Sequence, residues 1–188
     1  MTFIWNLMKK FFYNVPTFAL TVPLRLKGVA FGKKARIGPG YDIFGLCQKN
    51  VSLSEGVTIG RRAWLQTFNR EQGQIKIGAL TSIGRDAVIS SSSLIKIGME
   101  CILSYRVSVF DHDHAFILGG PPSKTQVDRG APVFIGDRTF IGANSFILSG
   151  VTIGDDCIIG AGSIVTTDIP SESIAAGNPA VVIRKRNK

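Results

Sequence analysis

The sequence predicts an all-β fold, a parallel β-helix in which three short strands form each coil. Within residues 135–165 an apolar residue recurs at every sixth position, and glycine directly follows four of the six: Ile135, Ile141, Ile147, Ile153, Ile159 and Val165. A period of six fits neither a helix nor an alternating strand, whose periods are about 3.6 and about 2 residues. It is typical of hexapeptide solenoids, whose coils contain about 18 residues. The composition agrees, because 21 glycines and a charged fraction of only 19% suit tight corners and short strands.

The repeat divides the 188 residues into three segments. Residues 1–36 precede it, residues 37–170 carry it, and residues 171–188 follow it as a short basic tail. Ile59 and Ile77 are separated by three periods of six, which predicts one complete coil between them. A chain of this length can form one domain with a sizeable core.

Two irregularities interrupt the period. It slips by two residues at Ile97, and after Val109 the next position in register is Ile135, whereas regular spacing would place it at Ala115. We therefore expect about 20 residues, within about 110–132, to leave the solenoid as an extruded loop. Because binding and catalytic groups are often presented on loops held by a rigid scaffold, this loop is the strongest candidate for a functional site.

The first segment predicts an amphipathic helix. Apolar residues recur there at helical spacing, with Lys9 and Lys10 on the opposite side: Ile4, Leu7, Met8, Phe11, Phe12 and Val15. No stretch of about 18 uncharged apolar residues exists, so a transmembrane span is not predicted. No small-residue cleavage site follows, as a signal peptide would require. Two interpretations stay open: residues 1–26 bind a membrane surface as an interfacial helix, or they cap the open end of the solenoid.

The net charge of +9 is concentrated at the two ends of the chain. Residues 1–36 contain seven Lys or Arg and no acid, and residues 184–188 contain four more. The segment between them has eleven basic and thirteen acidic residues, a net charge of −2. This distribution argues against a nucleic-acid groove along the solenoid. It favours anionic partners at the ends, such as a membrane surface or a phosphorylated cofactor.

The three cysteines are interpreted as core residues. No CxxC pair exists, so neither a zinc knuckle nor a redox motif is indicated. Cys47, Cys101 and Cys157 each lie four residues after a repeat isoleucine, a slot that elsewhere holds Ala, Ser or Thr and should turn inward. Three free thiols fit a reducing compartment.

The only two histidines stand at the start of the predicted loop. His112 and His114 are flanked by Asp111 and Asp113 in the sequence DHDH. Imidazole is the natural side chain to take a proton from a hydroxyl at neutral pH, and either carboxylate could hold its tautomer.

Other interpretations of this motif stay open. The DHDH sequence could be a solvated turn without a function. It could also contribute two histidines to a zinc site, which would need a third ligand from the nearby aspartates. Cys101 is a weaker candidate nucleophile, because its slot points inward.

The second half of the chain resembles a known family. The stretch IGDRTFIGANSFILSGVTIGDDCIIGAGSIVTTDIPSESIAAGNPAVVIRK is similar to the C-terminal half of the bacterial hexapeptide-repeat O-acetyltransferases, which include the galactoside and maltose acetyltransferases and enzymes that acetylate polysaccharide sugars. The resemblance extends over most of residues 59–185, and the motifs IGAGSIVTTDIP and AAGNPA are specific in combination. It implies a left-handed β-helix, an exception to the right-handed crossover rule. It also implies a homotrimer with acetyl-CoA in the cleft between adjacent subunits.

The resemblance further implies roles for individual residues. His112 matches the general base, and His114 matches a position that is often polar but is not the base. The remaining matches are to residues near acetyl-CoA: Ala143 and Ala161 beside the pantetheine arm, Thr166 and Thr167 following in the same wall, and Arg184 and Lys185 near the phosphates.

The chain departs from the galactoside and maltose enzymes on the substrate side. Phe140 stands where they have Trp, and Ser90 or Ser92 stands about where they have Asn. Their N-terminal maltose-type domain is replaced by the amphipathic segment. These departures favour the branch that modifies polysaccharides over enzymes that act on free disaccharides.

The expected function is acetyl transfer from acetyl-CoA to a hydroxyl of a sugar or glycan, with no metal and no nucleic-acid partner. The protein is expected in the cytoplasm, with peripheral attachment to the inner membrane through residues 1–26. An antibiotic or amino-sugar N-acetyltransferase of the same fold is the main alternative. A zinc enzyme related to the gamma-class carbonic anhydrases and a non-catalytic scaffold are less favoured.

Overall fold

The computed structural model describes residues 21–22, 24–26, 28–38, 50–68, 73–114, 118–120 and 130–186. The predicted helix within residues 4–15 and Cys47 lie outside these ranges. The described chain winds into a left-handed parallel β-helix with three faces, as the hexapeptide period predicts. Before the first coil, the described residues between 21 and 26 are helical, with Leu24 buried and Leu26 84% exposed. No helical segment within these ranges is long and apolar enough to cross a bilayer.

Each face is a sheet to which successive coils contribute one strand. The first face contains β1 (Ala30–Phe31), β3 (Val51–Leu53), β6 (Gln74–Ile77), β9 (Leu94–Ile97), β12 (Val133–Ile135) and β15 (Thr152–Ile153). The second contains β2 (Arg36–Ile37), β4 (Thr58–Ile59), β7 (Ser82–Ile83), β10 (Ile102–Leu103), β13 (Phe140–Ile141), β16 (Ile158–Ile159), β18 (Ser173–Gly177) and β19 (Ala180–Lys185). The third contains β5 (Trp64–Thr67), β8 (Val88–Ser91), β11 (Ser108–Phe110), β14 (Phe146–Ile147) and β17 (Ile164–Val165).

Three corners join these faces. The first corner leads from the first to the second face, the second corner from the second to the third, and the third corner from the third back to the first.

The apolar repeat forms the core. Alternate residues of a strand point to opposite sides of its sheet, and the inward residue of each strand stacks on its counterpart one coil away. On the second face this stack is formed by buried, register-paired residues: Ile59, Ile83, Leu103, Ile141 and Ile159. Neighbouring strands are about 4.8 Å apart, so the side chains of the stack are in van der Waals contact.

The second inward slot of each repeat holds a small residue, as the sequence predicts. Cys101 and Cys157 are free thiols with no exposed surface. The hydroxyls in this slot form hydrogen bonds with backbone groups of the next coil. Thr81 Oγ1, for example, donates to the carbonyl oxygen of Gly98 at 2.7 Å. Burial raises the pKa of both thiols. They therefore stay protonated, which argues against Cys101 as a nucleophile.

The predicted coil from Ile59 to Ile77 is wrong. Ile59 lies on the second face and pairs with Ile83, so this coil is four periods long, whereas Ile77 lies on the first face and pairs with Leu53. The reason is an insertion of six residues between β5 and β6. An insertion of one whole period leaves the apolar phase unchanged, so the sequence pattern does not reveal it.

From Leu53 onward, every departure from six-residue spacing between the described strands lies at the third corner. A regular step from the inward residue of the third face to that of the first face is one period. The step from Leu65 to Ile77 is two periods long, and the step from Ile89 to Ile97 is one period and two further residues. From Val109 to Ile135 it advances by four periods and two further residues. The predicted extruded loop is confirmed as the connection between β11 and β12, and it shares its corner with two smaller insertions.

The C-terminal segment, predicted as a tail, forms a hairpin. β18 continues the second face beside β16, and β19 pairs antiparallel with β18. Arg186 donates from its backbone N–H to the carbonyl oxygen of Glu172 at 2.7 Å and from Nη1 to that of Asp156 at 3.2 Å. Asp156 also binds Arg138 through both carboxylate oxygens, at 3.0 and 2.8 Å. These bonds hold the end of the hairpin against the first corner.

Candidate active site

The third corner brings the three insertions together. They leave β5, β8 and β11, which are consecutive neighbours in the third face. Strands of a sheet are about 4.8 Å apart, so Phe68, residues 91–93 and the start of the extruded loop lie on adjacent coils. This corner therefore places His112 beside residues of the two preceding coils.

Asp111 is the buried centre of this corner. Its side chain has no exposed surface. Oδ2 accepts hydrogen bonds from Ser91 Oγ at 2.6 Å and the backbone N–H of Ser93 at 2.9 Å. Oδ1 accepts from the backbone N–H of Ser92 at 2.7 Å and lies 3.0 Å from His112 Nδ1. Burial alone would raise the pKa of Asp111, but these four hydrogen bonds outweigh it and lower the pKa below its usual value.

The ionised carboxylate of Asp111 determines that Nδ1 of His112 carries a proton. A carboxylate only accepts hydrogen bonds, so Nδ1 carries a proton, and in the neutral ring Nε2 then carries the lone pair. The ring is held from the side by Phe68, whose centroid lies 4.9 Å away in an edge-to-face arrangement. The His112 side chain is 9% exposed, which leaves a narrow opening to the surface. An imidazole with an oriented, unprotonated Nε2 can accept a proton from a substrate hydroxyl.

Of the two aspartates that flank His112, only Asp111 contacts its ring. Asp113 is exposed, and its Oδ1 accepts a hydrogen bond from the backbone N–H of His114 at 2.8 Å. His114 is also exposed. The DHDH motif thus contains one buried pair, Asp111 and His112, followed by one exposed pair.

The two ends of the extruded loop are tied together at their base. Ser149, on the next coil, donates from Oγ to the carbonyl oxygen of Asp111 at 2.9 Å and accepts from the N–H of Ala131 at 2.8 Å. Gly130 passes so close to Asp111 that a Cβ there would overlap the carbonyl oxygen of Asp111, and its φ of 57° also favours glycine. The backbone that carries His112 is therefore held from the neighbouring coil.

Ser149→Ala is expected to lower kcat severalfold and to lower the melting temperature by a few degrees, because about 1 kcal/mol of hydrogen bonding at the base of the loop is lost. Ser171→Ala is the matched control. Ser171 Oγ also bonds the backbone of a neighbouring coil, accepting from the N–H of Asp155 at 3.1 Å, but it lies at the first corner. Thermal unfolding and steady-state kinetics of both variants test this. An equal loss of kcat in the control would contradict a local role for Ser149.

The predicted substrate-side serines lie at this corner but are buried. Ser90 pairs with Phe110 in the third face, and its carbonyl oxygen is 3.5 Å from the N–H of Asp111. Ser92 contributes its backbone N–H to the Asp111 carboxylate. Direct contact of either side chain with a substrate stays a prediction.

The residues predicted to line the acetyl-CoA site are spread over two corners. Ala143 and Ala161 are turn residues of the second corner, on successive coils. Thr166 and Thr167 follow β17 at the third corner, two coils from His112, and are exposed. Ala143 and Ala161 are thus separated from the threonines by the width of the third face.

The remaining predicted residues lie on the second face. Phe140 is half exposed on its outer surface, between Ile102 and Ile158. Arg184 and Lys185 are exposed near the end of β19. The ammonium of Lys185 donates to the carbonyl oxygen of Ser171 at 2.9 Å, close to the first corner. Within one chain, none of these three residues lies at the corner that carries His112.

Sequence reasoning missed four residues of the site: Phe68, Ser91, Gly130 and Ser149. Ser91 had a detectable signal, because the slip of two residues before Ile97 falls within the run of four serines at 90–93. The other three contact the site across coils, and one sequence alone gives no indication of such contacts. Among the described residues, no group of three His, Cys, Asp or Glu side chains could hold a metal ion.

Comparison with known proteins identifies relatives of the chain. A family model for the hexapeptide repeat of succinyl-transferase matches residues 132–167. A Mycobacterium tuberculosis protein named as an acetyltransferase is 30% identical over 184 residues, which are 97% of this chain and 58% of that protein. The chain thus spans little more than half the length of this relative. Escherichia coli WcaF, named as an acetyltransferase of colanic acid biosynthesis, is 31% identical over 163 residues, 87% of this chain and 72% of WcaF.

Solved structures share the fold. AntD, an N-acyltransferase from Bacillus cereus in complex with dTDP and coenzyme A, superimposes with a TM-score of 0.70 at 23% identity, over 88% of this chain and 89% of AntD. A hexapeptide-repeat acetyltransferase from Vibrio cholerae in complex with acetyl-CoA gives 0.56 at 23% identity, over 71% and 73%. The polySia-specific acetyltransferase NeuO gives 0.55 at 23% identity, over 85% and 86%. By its similarity to WcaF, its repeat and its fold, the chain belongs to the hexapeptide-repeat acetyltransferase family.

Proposed function

We propose that the protein transfers an acetyl group from acetyl-CoA to a hydroxyl of a sugar or glycan, with His112 as the general base. The observation that supports this most directly is the 3.0 Å contact between His112 Nδ1 and the buried carboxylate of Asp111. It orients the ring and leaves Nε2 as the proton acceptor. The names of WcaF and NeuO, which refer to colanic acid and polysialic acid, support a glycan as the acceptor.

The residues of the second corner fit acetyl-CoA. Ala161 is exposed, and a Cβ placed on the following Gly162 would meet no atom within 4 Å. A slender chain such as pantetheine could therefore lie directly against this backbone. Arg184 and Lys185 would hold the phosphates. When bound, acetyl-CoA supplies an acetyl group already activated as a thioester, so no covalent intermediate on the enzyme is required.

The proposed chemistry of His112 follows from its geometry. Nε2 accepts the proton of the acceptor hydroxyl as that oxygen attacks the acetyl carbonyl. The resulting imidazolium is stabilised by the carboxylate of Asp111, and it can return the proton to the departing sulfur. General-base catalysis of this kind contributes about 10²–10⁴-fold, and the remaining acceleration would come from holding the two substrates together.

We further propose that the active unit is a homotrimer with sites between adjacent subunits. Within one chain, Phe140, Ala143 and Ala161 lie away from the corner of His112. A neighbouring subunit would bring its own copies of these residues to that corner. An amine acceptor is the second candidate, because AntD is an N-acyltransferase.

We also propose that the protein acts in the cytoplasm, with residues 1–26 against the inner membrane. Two buried free thiols, Cys101 and Cys157, are consistent with a reducing compartment. The exposed side chain of Leu26 offers an apolar contact at this end of the solenoid.

Calorimetry of the trimeric protein with acetyl-CoA tests the cofactor site. We expect Ala161→Leu to raise the Kd at least tenfold, because a branched side chain fills the surface on which the pantetheine arm would lie. Ala79→Leu, at the equivalent turn position of the first corner, should bind acetyl-CoA like the wild type. Release of CoA with matched hydroxyl and amine sugars then distinguishes the two acceptors. No binding of acetyl-CoA by a confirmed trimer would refute the proposed function.

A further inference from the structure

Four arginines form a ridge along the second corner of three consecutive coils. The turn that leads into β5 contains Arg61 and Arg62, the turn into β8 contains Arg85, and the turn into β11 contains Arg106. All four are exposed. We call these residues the arginine ridge. Since adjacent coils are about 4.8 Å apart, the ridge is about 10 Å long.

The positive charge of the ridge is only partly balanced. Asp86 is the one acidic residue of these three turns. Arg62 binds it through two nitrogens, at 2.6 and 3.0 Å, and this lowers the pKa of Asp86. Arg85 lies 4.0 Å from the same carboxylate and 5.7 Å from the ring centroid of Tyr105. These three turns therefore carry four guanidinium groups and one carboxylate, and a net positive charge is left for an external anion.

The ridge lies on the same coils as the candidate base, at the opposite edge of the third face. Arg106 and Asp111 are connected by β11 and are five residues apart, about 16 Å along an extended strand. Trp64 lies on the outer surface of this face, on the coil of Arg62, and is 44% exposed. An exposed indole offers an apolar platform with a polar N–H, a combination suited to the face of a sugar ring. A bound chain could thus cross from the ridge over Trp64 to His112.

The ridge is also continuous with the proposed acetyl-CoA surface. Ala143 and Ala161 occupy the same corner on the later coils. The corner changes from small residues to arginines at the coil of His112. One half of the corner suits the acetyl donor that the His112 of a neighbouring subunit would use in the proposed trimer, and the other half is left free for a different ligand.

We infer that the acceptor is an anionic glycan, which binds the arginine ridge through carboxylate or phosphate groups and places a nearby sugar hydroxyl at His112. This inference rests on the proposed function and specifies its substrate class. Guanidinium groups match the two oxygens of a carboxylate or phosphate in a way that lysine does not. An anionic membrane surface is the rival partner. The alignment of the ridge with Trp64 and His112 favours the glycan, because membrane attachment would not require it.

The test compares two double variants of the full-length protein. Arg85→Gln/Arg106→Gln removes two charges from the ridge, and Lys76→Gln/Lys96→Gln removes two charges from the first face of the same coils. Lys76 and Lys96 are exposed and pair with each other across β6 and β9. Binding is measured by calorimetry with oligogalacturonate, its neutral methyl ester and UDP-glucose, and by flotation with phosphatidylglycerol vesicles.

We expect the arginine variant to bind oligogalacturonate at least tenfold more weakly than the wild type, because charge-assisted hydrogen bonds are lost. The lysine variant should match the wild type, and the methyl ester should bind all three proteins equally weakly. Wild-type affinity should also fall with added salt more steeply than that of the arginine variant. Loss of UDP-glucose binding instead would assign the ridge to a glycan diphosphate, which is the same anionic class.

Three outcomes would overturn the inference: no wild-type binding of either anionic probe, equal losses in both double variants, or a loss confined to vesicle flotation. Since binding does not require turnover, this result is independent of acetyl transfer. Ridge-dependent glycan binding by a protein that does not bind acetyl-CoA would refute the proposed function and leave the anionic-glycan site intact.

Discussion

Replacing His112 by alanine is expected to lower kcat by about 10²–10⁴-fold, the usual contribution of a general base. The fold should be unaffected, because the His112 ring lies at a corner of the solenoid and the core is formed by other residues. The Kd for acetyl-CoA should stay within a few-fold of the wild-type value, since the base acts on the acceptor proton in the transition state. Steady-state kinetics with acetyl-CoA and a saturating acceptor, combined with calorimetry, measure both quantities.

His114→Ala is the matched control, because it removes the same ring two residues later. His114 is exposed, and its contact with Asp113 is made through the backbone N–H, which the substitution retains. We expect a much smaller loss of kcat in this variant. If the losses were reversed, the base would be His114, and the buried contact with Asp111 would have only a structural role.

Asp111→Asn is expected to abolish most of the activity and to lower the free energy of unfolding by about 1–3 kcal/mol, a cost typical of an unsatisfied buried donor. Each oxygen of Asp111 accepts two hydrogen bonds, and one of each pair comes from a fixed backbone N–H, that of Ser92 for Oδ1 and that of Ser93 for Oδ2. An amide presents an NH₂ group in place of one oxygen, so the N–H of Ser92 or of Ser93 would face another donor. If that group turned towards His112, the ring would lose the acceptor that holds its Nδ1 proton.

Asp113→Asn makes the same chemical change at an exposed site and should have little effect on either quantity. Chemical unfolding of both variants between pH 7 and pH 3 adds a second criterion. The pKa of Asp111 is lowered in the folded state, so its contribution to stability is complete above the unfolded-state pKa of about 3.9 and is lost as the pH falls through the folded-state value. The stability difference between wild type and Asp111→Asn should therefore narrow only in acid. A constant difference would mean that Asp111 is not ionised in the folded protein.

The hexapeptide period predicted the architecture because a buried residue at every sixth position leaves few alternatives. It also predicted that Cys101 and Cys157 lie in the core, because the position of a residue within the six-residue repeat decides whether its side chain points inward. The coil predicted from Ile59 to Ile77 is wrong for the same reason, because the pattern records only the position within the repeat. An insertion of six residues before β6 preserves the phase and leaves no trace in the pattern, whereas the slip of two residues before Ile97 was visible.

The candidate site was predictable in part. The coincidence of both histidines with the largest break in register located it, and the family resemblance favoured His112. The sequence left Asp111 and Asp113 equivalent. The structure distinguishes them because Asp111 comes two residues after the inward Val109, so its side chain meets the donors of residues 91–93. Those donors come from another coil, and the six-residue pattern does not specify which coils contribute to a corner.

The restriction of the observed insertions to the third corner has a consequence for how such an enzyme can diversify. In the described coils the other two corners keep a constant length, and their backbone hydrogen bonds connect one coil to the next. Loop segments at the third corner can therefore be lengthened, shortened or exchanged between homologues while the pairing of every strand is kept. Swapping residues 68–73 or 113–129 is a practical route to altered acceptor preference. In evolution and in engineering alike, these segments can change while the coils that support them keep their structure.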